Sequence, residues 1–442
     1  MLTKVADKFS EIIKKYLPDA FVIAVGMTIL VIVLGILMNL NSPMEIVKAW
    51  GDGFWKYLGF TMQMVLMLMT GMVLAAVPGV RNFLQSIASW ASTPKKAYVM
   101  TFLVSAAAYY INWGLAVVVG AIFAREIGRR NSSIHFPLLV AAAYAPTTLY
   151  TAGLSSSIGL TIATPGHFLA EQMGVIPTSE TIFSAPTIII LLTLVITMPI
   201  FIYLMAPKKN IVSFNPGVDK GLGSDTETVA TTELELTPAS RMENSKLVGW
   251  IIGGIGIIYV VYEFATGRGL DLNIINITFL SLGLFFHGSL MRFYSAFRNA
   301  AESISPLILQ FPFYAGIIAV LSSSGLGELI IRGISSIGTA DTFPMLTYWA
   351  AGIVNILAPS GGGQWALQGP LQVPAGMALG VDPGAIAMAV GWGDAWTNLI
   401  QPFWALPILG VVGLGIKDIM GYCILLSVWV GFITSVLLLM VY

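Results

Sequence analysis

Apolar runs of bilayer-spanning length recur along the chain, separated by short polar breaks. Residues 20–40, 57–77, 184–206, 246–266, 272–290, 303–321 and 421–442 each approach the ~20 apolar residues a helix needs to cross a membrane, and 134–168 and 384–410 read as longer, broken spans. Ahead of them, Val5, Phe9, Ile12, Ile13, Tyr16 and Leu17 fall at helical spacing among Lys4, Lys8, Lys14 and Lys15, which predicts an amphipathic helix over 1–17 lying on the membrane surface. The run 20–40 is full spanning length with no small-residue cleavage site after it, so it reads as a first span and not a signal peptide.

Two stretches depart from this rhythm, 98–124 and 343–379. In the second, residues 355–365 read Asn-Ile-Leu-Ala-Pro-Ser-Gly-Gly-Gly-Gln-Trp between apolar arms, 343–357 and 366–379, each too short to cross alone. Unpaired backbone in lipid costs several kcal/mol per group, so such a break must be covered by protein or line a polar cavity. The pattern predicts a re-entrant helical hairpin whose second arm points its positive N-terminal end into that cavity.

Basic residues fix how the stretches run, because Lys and Arg concentrate on cytoplasmic loops. With both stretches re-entrant and the N-terminus inside, only Lys48, Lys56, Arg268 and Arg332 of the 22 basic residues fall outside. The same arrangement exposes a repeat. Residues 18–206 and 267–442 each read as two spans, a hairpin, a broken span and a closing span. The polar stretch 207–245 is predicted as a flexible cytoplasmic linker, and the extra span 246–266 inverts the second unit. Asn112 and Asn355 are separated by the same number of residues as Ser155 and Asn398. The predicted fold class is thus an all-α polytopic membrane protein of two inverted repeats, each with a re-entrant hairpin and a broken transmembrane helix.

Composition agrees: 56% hydrophobic, 10% charged, mean hydropathy +0.83, against about 25% charge in soluble domains. The formal net charge is zero, which gives nucleic acid no footprint. A single Cys423 allows no internal disulfide, and His135, His167 and His287 show no metal-ligand spacing. A membrane enzyme would need a nucleophile with a base or a metal cluster, and neither is visible.

Inverted repeats with broken helices mark secondary transporters, whose site lies near the midplane where the repeats meet. Four irregular stretches should converge there: Asn112, Trp113 and Gly114; Ser155, Ser156 and Ser157 within 153–157; Ser360, Gly361, Gly362, Gly363, Gln364 and Trp365 within 359–365; and 394–401 with Asp394, Thr397, Asn398 and Gln401. Several of these also fit plainer roles. Asp394 could cap a half-helix, the serines could satisfy carbonyls in a kinked helix, Trp113, Trp365 and Trp396 could be packing aromatics, and Gln63 and Gln310 could join helices. His135 at a helix start and His287 near the interface are read as having no part in the site.

The segments Trp50-Gly-Asp-Gly-Phe-Trp55, Ile111-Asn-Trp-Gly114, Ala124-Arg-Glu126, Gln310-Phe-Pro-Phe-Tyr-Ala-Gly316, Pro359-Ser-Gly-Gly-Gly363, Gln401-Pro-Phe-Trp-Ala-Leu-Pro407 and Ile419-Met-Gly-Tyr-Cys423 resemble the bacterial short-chain fatty acid transporters of the AtoE type. The resemblance runs from about Lys14 to the C-terminus. It implies uptake of butyrate- or acetoacetate-like monocarboxylates across the bacterial inner membrane. It also implies membership of the wider ion-transporter superfamily, with its homodimers and elevator-type motion. No cofactor is implied beyond a co-transported ion. Importing a monovalent anion against an inside-negative potential costs ~2.3 kcal/mol per 100 mV, so a co-transported Na⁺ or H⁺ is expected. Hard oxygen ligands from Asn112, Asn355, Asp394, Thr397 and Asn398 suit Na⁺, with the ion expected near Asn112 and Asn355. A Na⁺/H⁺ antiporter on the same frame is the alternative, though it should hold more than one deep carboxylate, and Asp394 alone stands out.

Overall fold

The computed structural model describes residues 18, 20–38, 42–56, 58–163, 166–167, 169–207, 209–215, 237–268, 272–357, 359, 361–401 and 403–442. The predicted surface helix 1–17 and Ser360 lie outside the described residues. Among them all regular structure is helical.

The first half opens with α1 (Ala20–Met38), α2 (Pro43–Phe54), α3 (Leu58–Ala75) and α4 (Pro78–Ala88). A hairpin follows, α5 (Pro94–Ile111) and α6 (Trp113–Arg130). Next come α7 (Phe136–Tyr144), a 3-10 helix (Ala145–Ala152), α8 (Ser157–Ile162), α9 (Ala170–Met173) and α10 (Ala185–Leu204). Then come α11 (Pro238–Glu243) and α12 (Lys246–Ala265). The second half runs α13 (Leu272–His287), α14 (Leu290–Ser323), α15 (Leu326–Ser335), the hairpin α16 (Phe343–Leu357) and α17 (Gly361–Ala378), α18 (Pro383–Thr397), a 3-10 turn (Phe403–Ala405), α19 (Leu406–Val412) and α20 (Ile416–Val441). A short arm, a hairpin, a broken helix and a long closing helix therefore occur twice in the same order.

Two bodies emerge from the packing. α1, α2, α3, α12, α13 and α14 pack on one another, while both hairpins, both broken helices, α10 and α20 form the other. The bodies touch directly where α3 packs on α6 and α14 on α19, and the arms α4 and α15 reach across, α4 onto α6 and α15 onto both arms of the second hairpin. α10, α12 and α20 are long and apolar enough to cross a membrane. On α12, Ile251, Ile255, Ile258 and Val261 stand exposed, as side chains bathed in lipid do.

Local sequence explains the first hairpin. Pro94 takes the first helical position, where its missing N–H costs nothing, and Thr93 caps α5 by accepting from the Lys96 amide at 3.3 Å. Asn112 alone makes the turn: it ends α5 in extended conformation, and its Oδ1 accepts from the Leu115 amide at 2.9 Å to start α6. Each arm holds 18 residues, about 27 Å at 1.5 Å per residue, so the hairpin exceeds the predicted 98–124 at both ends. The charged turns carrying Lys95, Lys96, Arg129 and Arg130 are helical, although hydropathy stops at them.

Two expectations are corrected. The glycines 361–363 are the first turn of α17 and not irregular backbone. Asp394 lies inside α18, which continues to Thr397, and its carboxylate receives a tyrosine hydroxyl; it caps no helix. The linker is docked at its start: the Phe136 amide donates to Val212 O at 2.8 Å, the Val212 amide donates to His135 Nδ1 at 3.1 Å, and Phe214 packs on Phe136 with ring centroids 5.0 Å apart. The stretch 216–236 of the predicted linker lies outside the described residues.

Candidate functional site

The two hairpins and the two broken helices meet at one small cavity of about 40 Å³. The first hairpin gives Tyr109, Trp113 and Val117 to its wall, and the first broken helix gives Thr147, Tyr150 and Ser157. The second hairpin gives Gly361, the second broken helix gives Asp394 and Asn398, and Trp404 closes one side, edge-on to Trp113 with ring centroids 5.2 Å apart. At about 10–15 Å³ per water-sized group, the volume suits roughly three such groups, the scale of a small polar head.

Breaks in the helices bring these side chains together. Pro146 ends the α-helical pairing of α7 and tightens the chain into the 3-10 helix that carries Thr147 and Tyr150. Gly153 lets that helix end against the first hairpin, because a Cβ there would stand 2.6 Å from Tyr110 O, and the Leu154 amide donates to the same carbonyl at 2.7 Å. Gly361 does the same for the second hairpin, where a Cβ would meet Tyr150 Oη at 2.7 Å and Ser157 Oγ at 3.0 Å. Only glycine lets the α17 N-terminus sit against the first broken helix.

At the centre, Tyr150 Oη donates to Asp394 Oδ2 across the two halves of the chain, while Asp394 Oδ1 has no protein partner. Asp394 is 1% exposed, so an ionised carboxylate here has almost no water to solvate it. Beside it, Asn355 Nδ2 donates to Asp394 O at 2.8 Å and Asn398 Oδ1 at 2.8 Å, with Thr397 Oγ1 at 3.0 Å, leaving Asn355 Oδ1 unpartnered. Tyr144 Oη donates to Asn398 O at 2.6 Å and ties the two broken helices together. On the first-hairpin side, Asn112 Nδ2 is buried without a protein partner, and Tyr109 Oη approaches Thr147 without completing a hydrogen bond. Unpartnered acceptors thus gather around Asp394 and Asn355, and unpartnered donors around the first hairpin turn. α6 and α17 also begin at this cavity, adding the partial positive charge of two helix N-termini.

Of the residues singled out from sequence, Trp113, Ser157, Gly361, Asp394 and Asn398 line the cavity. Asn355 and Thr397 support it from behind Asp394. Asn112 and Ser155 shape the first hairpin turn, Ser155 Oγ accepting from the Trp113 amide at 3.2 Å. Ser156 caps α8 through the Gly159 amide, and Gly114 sits where α3 passes the turn at Gly71. Gly362 and Gly363 belong to the α17 helix and line no part of the wall. Gln364 is turned inward, its Nε2 donating to Ala351 O at 2.5 Å; Trp365 is 0% exposed in a separate apolar cluster; and Gln401 bridges Tyr314 Oη and the Phe403 amide. None of these three faces the cavity. Trp396 stacks on Tyr348 and donates to Ser427 O, a packing role. Unforeseen from sequence were Tyr109, Val117, Thr147, Tyr150 and Trp404. The run Pro146-Thr-Thr-Leu-Tyr-Thr151, polar and proline-led inside an apolar span, was the signal that could have found Thr147 and Tyr150.

The short chain fatty acid transporter family matches residues 1–441. A relative from Haemophilus influenzae, provisionally named a short-chain fatty acid transporter, is 39% identical over 439 residues, covering 96% of each chain. Another from Escherichia coli K12, with the same provisional name, is 38% identical over 435 residues, covering 98% of each. Two solved structures align at 16% identity: the Alcanivorax borkumensis YdaH transporter, with a TM-score of 0.48 over 96% of this chain and 98% of that one, and Neisseria gonorrhoeae MtrF, described among antimetabolite efflux pumps, with a TM-score of 0.41 over 96% and 95%. With a match over nearly its whole length and two relatives of this similarity, the chain belongs to the short-chain fatty acid transporter family, membrane transport proteins and not enzymes.

Proposed function

We propose that this chain imports short-chain monocarboxylates, of the butyrate and acetoacetate kind, across the bacterial inner membrane together with a cation, Na⁺ or H⁺, and that both are held at the cavity between the hairpin turns. The observation that carries this reading is Asp394: a buried carboxylate with one free oxygen, in the wall of the cavity where an anionic substrate would rest. Two carboxylates at close range cannot both stay charged, so substrate can settle there only with a cation between them or a proton on one of them. That geometry supports cation coupling, as does the membrane potential.

In this arrangement Asp394 Oδ1 and Asn355 Oδ1 receive the cation, and Tyr150 holds the carboxylate in place from the opposite half. Asn112 Nδ2, Tyr109 Oη and the N-terminal ends of α6 and α17 receive the substrate carboxylate without a buried arginine. The apolar tail exceeds the roughly three water-sized groups the cavity takes, so Trp113, Trp404 and Val117 must move outward to admit it. The hairpins are re-entrant from opposite faces, and their body shifts against the other, as a dimer, in an elevator-type cycle. Among the described residues Glu126 is the other buried carboxylate, but it sits near the C-terminal end of α6, tied to Gln85 and Arg129, which favours the symporter over the antiporter.

Uptake of labelled butyrate into proteoliposomes, driven separately by imposed Na⁺ and pH gradients, tests the proposal. One gradient should accelerate uptake, and Asp394→Asn should abolish that acceleration. Uptake indifferent to both gradients, or coupling unchanged in Asp394→Asn, overturns it.

A further inference from the structure

A second hollow, of about 490 Å³, opens where four element ends meet: the start of α12, the end of α13, the start of α14 and the start of α4 at Pro78. Its volume falls within the roughly 300–1,000 Å³ of small-molecule sites. Lys246, the first residue of α12, and Arg292, in the first turn of α14, both stand in its wall. Neither is paired with an acid among the described residues, and no Asp or Glu lines the hollow. His287 forms part of the floor, its Nε2 engaged with Val73 O at 2.7 Å.

Two helix N-termini add to this positive field. Ser289 caps α14 by accepting from the Arg292 amide, but Ser245 offers α12 no side-chain cap, leaving its first amides available. Lys246 and Arg292 are both exposed at this space, and with the two helix N-termini they favour an anion there. The rest of the wall is apolar: Trp250 and Phe285 pack at 6.3 Å between ring centroids. Leu247, Ile251 and Phe286 continue that surface outward, at 63%, 54% and 54% exposed. A polyvalent oxyanion with hydrocarbon attached matches both parts, since a guanidinium grips phosphate through two parallel N–H donors, an ammonium adds a point charge, and tryptophan favours headgroup depth.

We propose that this hollow binds the phosphate of an anionic phospholipid, with its acyl chains lying along the outer face of α12 and over Phe286. Basic pockets between transmembrane helices at the headgroup level are suited to such lipids. The bound lipid braces α12, α13 and α14 against the α3–α4 junction, at the root of the arm that reaches the first hairpin.

The test uses the full chain purified in detergent and follows thermal unfolding on adding phosphatidylglycerol, phosphatidylcholine or inorganic phosphate. Phosphatidylglycerol should raise the midpoint by several degrees and phosphatidylcholine should not. The double variant Lys246→Gln/Arg292→Gln should lose most of that rise relative to its own lipid-free midpoint. The charge-keeping Lys246→Arg/Arg292→Lys and the distant Lys209→Gln/Lys417→Gln should keep it. Equal rises with both lipids, an undiminished rise in Lys246→Gln/Arg292→Gln, or a rise reproduced by inorganic phosphate alone overturns the proposal.

Discussion

Tyr150 is the side chain on which the two halves of the site depend. Its hydroxyl reaches Asp394 from the opposite half of the chain, fixing one carboxylate oxygen and leaving the other free. A hydrogen bond to a charged group contributes about 1.5–3 kcal/mol, so Tyr150→Phe should slow butyrate uptake by about 10- to 100-fold while leaving the folded protein intact, read as initial rates in proteoliposomes beside a thermal unfolding scan. An unchanged rate would remove the pair from the mechanism. Asp394 was legible in the sequence because a lone carboxylate in an apolar span is costly and draws the eye. Tyr150 was not, because tyrosine is at home in membranes and its partner lies far away along the chain. Proximity in sequence misled in the other direction for Gln364 and Trp365. They adjoin the glycine run, but as the third and fourth residues after Gly361 they lie about one helical turn further along α17, where Gln364 donates to Ala351 O and Trp365 enters a separate apolar cluster.

At the scale of elements, the first turn of α17 separates two glycines that a sequence treats alike. Gly361 carries the close approach to Tyr150 and Ser157, whereas a Cβ on Gly362 meets nothing within 4 Å. Gly361→Ala should therefore cost about 1–3 kcal/mol through overpacking and depress uptake, while Gly362→Ala should be neutral or stabilise by up to about 1 kcal/mol through helix propensity. Unfolding midpoints and uptake rates of the two variants side by side decide it; equal behaviour would mean that the hairpin does not seat against Tyr150. Long spans were readable within a few residues, as α1, α10 and α12 show, because twenty apolar residues leave few alternatives. The arms α4 and α15 were not foreseen, since each is short and amphipathic and gains its place only by packing across a hairpin that the local pattern does not reveal. α14 was underestimated for a related reason: it continues unbroken for 34 residues from Leu290, through Arg292 and Arg298, where hydropathy marks only its apolar part.

For the whole molecule the decisive property is the sidedness of the hairpin bases. α5 and α6 pack side by side around the single turn residue Asn112, so Lys95 and Arg130 lie at one end of that hairpin; Asp341 precedes α16, and Leu379 follows α17, at the base of the other. The first residues of α6 and α17, Trp113 and Gly361, reach one cavity. Two hairpins entering from the same face would have to run alongside each other to meet there, whereas entry from opposite faces lets them meet tip to tip near the midplane and leaves Lys and Arg concentrated inside. Cys423 is 0% exposed and should stay silent to a membrane-impermeant thiol reagent, so single cysteines can be added to the natural sequence. In right-side-out vesicles, Asp341→Cys and Leu379→Cys should label while Lys95→Cys and Arg130→Cys stay protected, and inverted vesicles should reverse the pattern. Labelling of all four from one side would mean that the hairpins share an entrance face, and the proposed alternation of access would lose its structural basis.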